Sequence, residues 1–145
     1  MICIESSIYN QIKLESEKSY PDECCGFIFG KTENERKITV MIKPNVNKSV
    51  KEEQFHRFVI TAEDMMNQEI YARKNGLEII GFYHSHPDCQ AVPSEYDRKN
   101  ALPIYSYIIV SCMKGSAKDV NCYNLSEESG YTQFEREEIF MQKGE

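Results

Sequence analysis

No run in these 145 residues approaches the ~20 consecutive apolar residues of a membrane span. The opening stretch "MICIESSIYNQIKLESEKSYP" carries Glu5, Glu15 and Glu17 and lacks the basic start and apolar core of a secretory signal. Basic side chains are the minority, 17 against 23 acidic, and the net charge of −6 argues against general attraction to nucleic acid or to an anionic membrane. These absences lead to the expectation of a soluble, cytoplasmic protein with no nucleic-acid and no membrane partner. The six cysteines, Cys3, Cys24, Cys25, Cys89, Cys112 and Cys122, include no CxxC pair. They read as free thiols, most of them buried as small hydrophobes. Neighbouring Cys24 and Cys25 cannot both face one interior if they lie on a strand. Internal repeats, linkers and low-complexity segments are missing too.

What remains is ordinary globular composition, 41% hydrophobic and 28% charged. Residues 1–145 fit one domain, long enough to bury a core without a metal or disulfide staple. A metal would therefore serve chemistry more than folding.

Ile8 and Ile12 stand one helical turn apart behind serines available as caps, and Pro21 stops the pattern, so a first helix is expected. "CGFIFGK" reads as a buried strand, and "KITVMIK", with Ile38, Val40 and Ile42 alternating, as a half-buried one; the two suggest a hairpin. Residues 43–57 are polar and aperiodic, which predicts a long surface loop. Thr61 and Asp64 form a capping-box pattern, Met66 and Ile70 share a face, and Gly76 marks a stop, giving a second helix over roughly 61–75. "LEIIGFYH" is a buried strand, and "SEYDRKNA" a short helix opened by Ser94 and closed before Pro103. "YSYIIVSC" and "VNCYNL" are strands around Gly115, with "YTQFE" a candidate last strand. The sum is an α/β or α+β layered domain.

The stretch "GFYHSHPDCQAVPSEYD" holds two of the three histidines. Side chains two apart on a strand point the same way, so His84 and His86 converge at a strand end while Ser85 turns away. Catalytic zinc commonly takes three protein ligands and keeps an open fourth place. Asp97, one turn into the helix opened by Ser94, is the natural third ligand. Ser94 and Asp97 also suit a plain capping box, in which they satisfy only backbone donors. Peptide cleavage further needs a carboxylate near the metal to move protons, and spacing cannot choose it among 23 acidic residues. His56 is left as a surface residue or a substrate contact.

The pattern HxHx7SxxD at His84, His86, Ser94 and Asp97 resembles the signature of the JAMM (MPN-plus) zinc metallopeptidases, of the stand-alone bacterial and archaeal type. Upstream, "YPDECCGFIFG" is similar to the stretch that carries that family's catalytic glutamate, and the likeness runs through "FVITAEDMMNQEIYARKNGLEIIGFYHSHP" to "YSYIIVSC". The resemblance implies the JAMM/MPN fold, a curved mixed sheet flanked by helices, similar in outline to cytidine deaminases. It implies Glu23 as general acid/base, His84, His86 and Asp97 as ligands of one Zn2+ per chain, and Ser94 as oxyanion donor; Cys25 and Gly26 would pack closely under the site. It implies hydrolysis of the amide bond after the C-terminal Gly-Gly of a ubiquitin-like or sulfur-carrier partner. The alternatives are a zinc hydrolase of small peptides or amino-acid amides, and a non-catalytic interaction scaffold. The HxE and PCxxC arrangement of zinc deaminases is absent.

Overall fold

The structure is a computed structural model that describes residues 1–128 and 131–142. In chain order the elements are β1 (Ile2–Glu5), α1 (Ser6–Ser19), β2 (Cys25–Glu33), β3 (Arg36–Asn45), α2 (Ala62–Lys74) and β4 (Glu78–Pro87). There follow α3 (Glu95–Asn100), β5 (Ser106–Met113), β6 (Ser116–Glu128), β7 (Tyr131–Glu137) and β8 (Ile139–Gln142), and a single 3-10 turn spans Lys51–Glu53. The strands make one mixed sheet in the order β7-β6-β5-β4-β2-β3-β1-β8. β4 runs parallel to β5, and β1 parallel to both β3 and β8. This is the mixed sheet with flanking helices that the sequence led us to expect.

Both faces of the sheet are covered, which is why its central strands are near-continuous apolar runs. On one face Ile8 and Ile12 of α1 pack on Ile28, Tyr83, Ile108 and Val110. On the other, Phe27, Phe29, Phe82 and Tyr107 meet Ala72 of α2 and partly buried Met65. Each fully buried side chain of this size contributes ~1.5–3 kcal/mol. Double coverage also accounts for the two adjacent cysteines: Cys24 and Cys25 are both buried because each has an interior to enter. All six thiols are free, and Cys89 alone is exposed.

The β2–β3 hairpin forms as expected, with Asn34 and Glu35 left-handed at its tip. Its regular alternation is broken, however. Phe29 pairs with Met41 and Gly30 with Thr39, so Val40 is the extra residue of a β-bulge and is 49% exposed. The expected loop begins only after Asn45, because β3 extends through 43–45. α2 has the anticipated capping box and the left-handed Gly76 after it. Its packed row, though, is Met65 and Ala72, and Met66 and Ile70 share a face that points outward. α1 starts without a side-chain cap from its serines, since its N-cap is Glu5, the last residue of β1. β1 and β8 were not anticipated; each is a four-residue strand, too short to show a period.

Gly26 sits where β2 crosses the ring of Tyr83, and a Cβ there would lie 2.3 Å from that ring. Tyr83 is fully buried and cannot swing away. Gly26→Ala is expected to cost ~1–3 kcal/mol by overpacking, read as a lower urea midpoint at constant slope; an unchanged midpoint would show that the ring has room to move.

Candidate metal centre and active site

β4 delivers the two histidines as its alternation dictates. His84 and His86 follow Phe82 on one face, and both are buried, with their Nε2 atoms 3.2 Å apart. α3 returns over this strand end. Ser94 is its N-cap: Ser94 Oγ accepts from the Asp97 N–H at 3.0 Å, and Asp97 Oδ2 accepts from the Ser94 N–H at 2.9 Å. The same Oδ2 lies 3.2 Å from His84 Nε2 and 3.1 Å from His86 Nε2. Capping and the convergence on the histidines are therefore carried by one oxygen.

The tautomer of His86 follows from its other nitrogen. Nδ1 lies 2.9 Å from the Gln90 carbonyl, an acceptor only, so Nδ1 carries the hydrogen and the neutral ring leaves Nε2 with a bare lone pair. The carbonyls on either side of Gln90 are also held, Cys89 O by Ser111 Oγ and Ala91 O by the Tyr123 hydroxyl at 2.8 Å. Burial lowers the His84 pKa. For His86, burial acts downward, but the hydrogen bonds to Asp97 and Gln90 prevail and the net shift is upward. Burial acts upward on Asp97, yet the two imidazoles and the Ser94 N–H hold it well below the usual carboxylate range.

Three lone-pair-bearing atoms facing each other at 3.1–3.2 Å repel unless a proton or a cation lies between them. Zinc bonds of ~2.0–2.1 Å in tetrahedral array put ligand atoms ~3.3 Å apart, so this donor set fits a zinc ion. His84, His86 and Asp97 could hold it, and Glu23 forms a candidate ligand group with the same two histidines.

Glu23 arrives by strand register. β2 and β4 are antiparallel with Cys25 opposite His84, which sets the chain two residues before Cys25 beside His86. The alignment is clamped twice, by Ser85 N–H to Cys24 O at 3.2 Å and by Cys24 N–H to Ser85 Oγ at 2.8 Å. Ser85 thus turns away from the histidines to tie down the neighbour of Glu23. Glu23 has a carboxylate oxygen within 4.8 Å of a ring nitrogen of each histidine. It is 5% exposed, and its Oε1 has no hydrogen-bond partner among the described residues. Burial pushes its pKa up to about 8, His86 draws it down and Asp97 adds to the rise. The five residues singled out in the sequence are thus brought together. Exposed His56 joins only the rim, its ring 4.3 Å from that of Phe55.

Sequence reasoning missed the segment that covers the site. Asn47 uses its whole side chain: Nδ2 donates to Glu23 O and Arg57 O, and Oδ1 accepts from the N–H groups of Ser49 and Val59. Phe58 consequently stacks on His84, centroids 4.5 Å apart. The Tyr96 hydroxyl reaches Phe58 O at 3.3 Å, and the Arg57 guanidinium lies 5.0 Å from the Tyr96 ring centre. Two cavities result. One of about 360 Å³ is lined by Phe58, Ile60, Met65, Phe82, His84 and Asp97. The other, about 580 Å³, is lined by Glu23, Phe55, His56, His86, Cys89 and Ser94. A lone Asn in a polar stretch carries no signal of such a role; only the length of the loop hinted that it had one.

The shared oxygen separates two effects. Ser94→Ala should cost ~1 kcal/mol of stability through the lost cap and leave zinc affinity unchanged. Asp97→Ala should lose the cap and also weaken zinc binding by on the order of 100-fold or more in chelator competition. Equal zinc affinities for the two variants would remove Asp97 from the donor set.

Residues 5–126 match the family model described as prokaryotic homologs of the JAB domain. A desampylase from Pyrococcus furiosus is 33% identical over 75 residues, 52% of this chain and 49% of that protein. A desampylase from Haloferax volcanii is 32% identical over 92 residues, 63% of each chain. The chain thus spans about half to under two thirds of the length of these curated relatives. Among solved structures, a protein from Desulfitobacterium hafniense superposes with a TM-score of 0.85 at 21% identity, covering 99% of this chain and 94% of that one. A Salinibacter ruber protein gives 0.74 at 29% identity, covering 98% and 92%. A JAB1/MPN domain protein from Archaeoglobus fulgidus gives 0.52 at 17%, covering 97% and 94%, a likeness of fold alone. With the family model covering most of its length, the chain belongs to the prokaryotic homologs of the JAB domain, within the JAMM/MPN family, and has their fold.

Proposed function

We propose that the protein is a zinc-dependent peptidase or isopeptidase that hydrolyses the amide bond after the C-terminal Gly-Gly of a ubiquitin-like or sulfur-carrier protein. The observation that carries this reading is the convergence of His84, His86 and Asp97 donor atoms within 3.2 Å beside the buried carboxyl of Glu23, whose Oε1 finds no partner among the described residues. The relatives named desampylase, for removal of a ubiquitin-like Samp protein, support the substrate class.

One zinc per chain, held by His84, His86 and Asp97, would supply Lewis acidity, polarising a carbonyl and making water a nucleophile near pH 7. Glu23 takes the proton of the attacking water and hands it to the departing amine. Burial raises its pKa, and a cation held by the neighbouring histidines would draw it back down, so the two influences oppose each other at the group that must both take and give a proton. Ser94 Oγ accepts from the Asp97 N–H, so its own hydrogen is free for the developing oxyanion, a contact of the kind worth ~3 kcal/mol.

The extended tail has an edge to pair with. Val59 directs its N–H to Asn47 and its carbonyl to Lys48, so in extended backbone the polar groups of Phe58 and Ile60 turn the other way, toward the cavity beside His84. Glycines let a second backbone approach this edge closely. The pairing register falls on 58–60, because Lys51–Glu53 and the residues after it form turns.

Glu23→Gln should keep zinc and lose about 10²–10⁴ in kcat on a ubiquitin-fold protein extended beyond Gly-Gly; retained activity would remove Glu23 from proton transfer. Ile60→Pro, which deletes a backbone donor facing the cavity, should raise KM with little change in kcat. An unchanged KM would sink the pairing.

A further inference from the structure

We propose that Tyr96 determines specificity at the scissile bond, acting as a bolt across the cleft that admits a chain without side chains. The inference rests on the hydrolytic reading above. Among the described residues Tyr96 is the one that lines both cavities, and the donor cluster is divided between them. His84 and Asp97 open on the cavity beside Phe58–Ile60, and Glu23, His86 and Ser94 on the other. A substrate whose tail pairs along 58–60, and whose amine leaves toward Glu23, must run from one cavity into the other. Its scissile residues therefore pass Tyr96.

The bolt is fastened at two points, both on the covering segment. The hydroxyl donates to Phe58 O at 3.3 Å, and the ring stacks under Arg57 at 5.0 Å. An O–H···O contact of that length is weak and easily exchanged. Phe58 O is also one of the groups turned toward the cavity, where an incoming N–H of the tail would take the place of the hydroxyl. Substrate entry and release of the bolt are then one exchange of hydrogen bonds. The ring itself stays anchored, since Tyr96 immediately precedes Asp97 in α3. What the ring leaves open is a passage for backbone; a Cβ on the residue at the scissile carbonyl would meet the ring or Phe58.

The test uses zinc-loaded full-length protein and two ubiquitin-fold substrates extended past their C-terminus, one through Gly-Gly and one through Gly-Ala. The wild type should favour Gly-Gly by on the order of 100-fold in kcat/KM, the loss that misplacing a reacting group by ~1 Å brings. Tyr96→Ala should shrink that preference about tenfold or more, largely by gaining on Gly-Ala. Tyr96→Phe keeps the ring and should keep the preference, while amide hydrogen exchange over residues 57–60 rises in both variants relative to wild type. A preference unchanged in Tyr96→Ala, or unchanged exchange in both variants, would overturn the assignment of Tyr96. Failure of the zinc-loaded wild type to cleave either substrate would instead overturn the hydrolytic reading, with the exchange data still showing whether Tyr96 holds the segment.

Discussion

Asp97 Oδ2 accepts the backbone N–H that starts α3 and lies 3.1–3.2 Å from two imidazole nitrogens. The N–H closes the first turn of α3, and a proton or a cation shared with the imidazoles would tie that turn to the end of β4. A six-residue helix has too little surface to be held by packing alone, and polar contacts help to place it: this oxygen at its start, and Arg98 donating to Thr132 of β7 further along. Tyr96 and Ser94 inherit their positions from it, and Tyr96 meets there the segment that Asn47 and Gln54 hold over His84.

The histidine pair was legible because a strand has a fixed period of two, and the period holds to the end of β4. The Ser94–Asp97 box was equally legible as a cap, and the structure forms it. Glu23 was not. Nothing in its sequence neighbourhood separates it from the other carboxylates, and the resemblance to a known family singled it out. The physical cause is the pairing of Cys25 with His84, a long-range register that no local pattern encodes. Its clamp, Ser85, sits in plain view between the histidines, where alternation had marked it only as pointing away.

The misreadings have a common origin. Val40 looked like a core position because the alternation was taken as unbroken; the bulge opposite Phe29 and Gly30 inserts one residue and turns it out. On α2, Met66 and Ile70 do share a face, but it is the outward one, and the side turned to the sheet presents Met65, Tyr71 and Ala72. In both places the local pattern was real, and tertiary geometry chose which side of it faces inward. The polar segment 46–60 failed differently: its order comes from Asn47 and Gln54 bonding to backbone, which leaves no hydrophobic period to find.

The sheet's double cover also sets the chemistry of its sulfur. Five thiols are sealed inside, and burial pushes Cys24 and Cys25 up to about 12, so their reactive thiolates are scarce at neutral pH. Cys89 alone meets solvent, and it lines the cavity that contains Glu23. Among its cysteines the molecule therefore offers a single addressable anchor for an alkylating label, and that anchor stands on the wall of the cavity Glu23 faces.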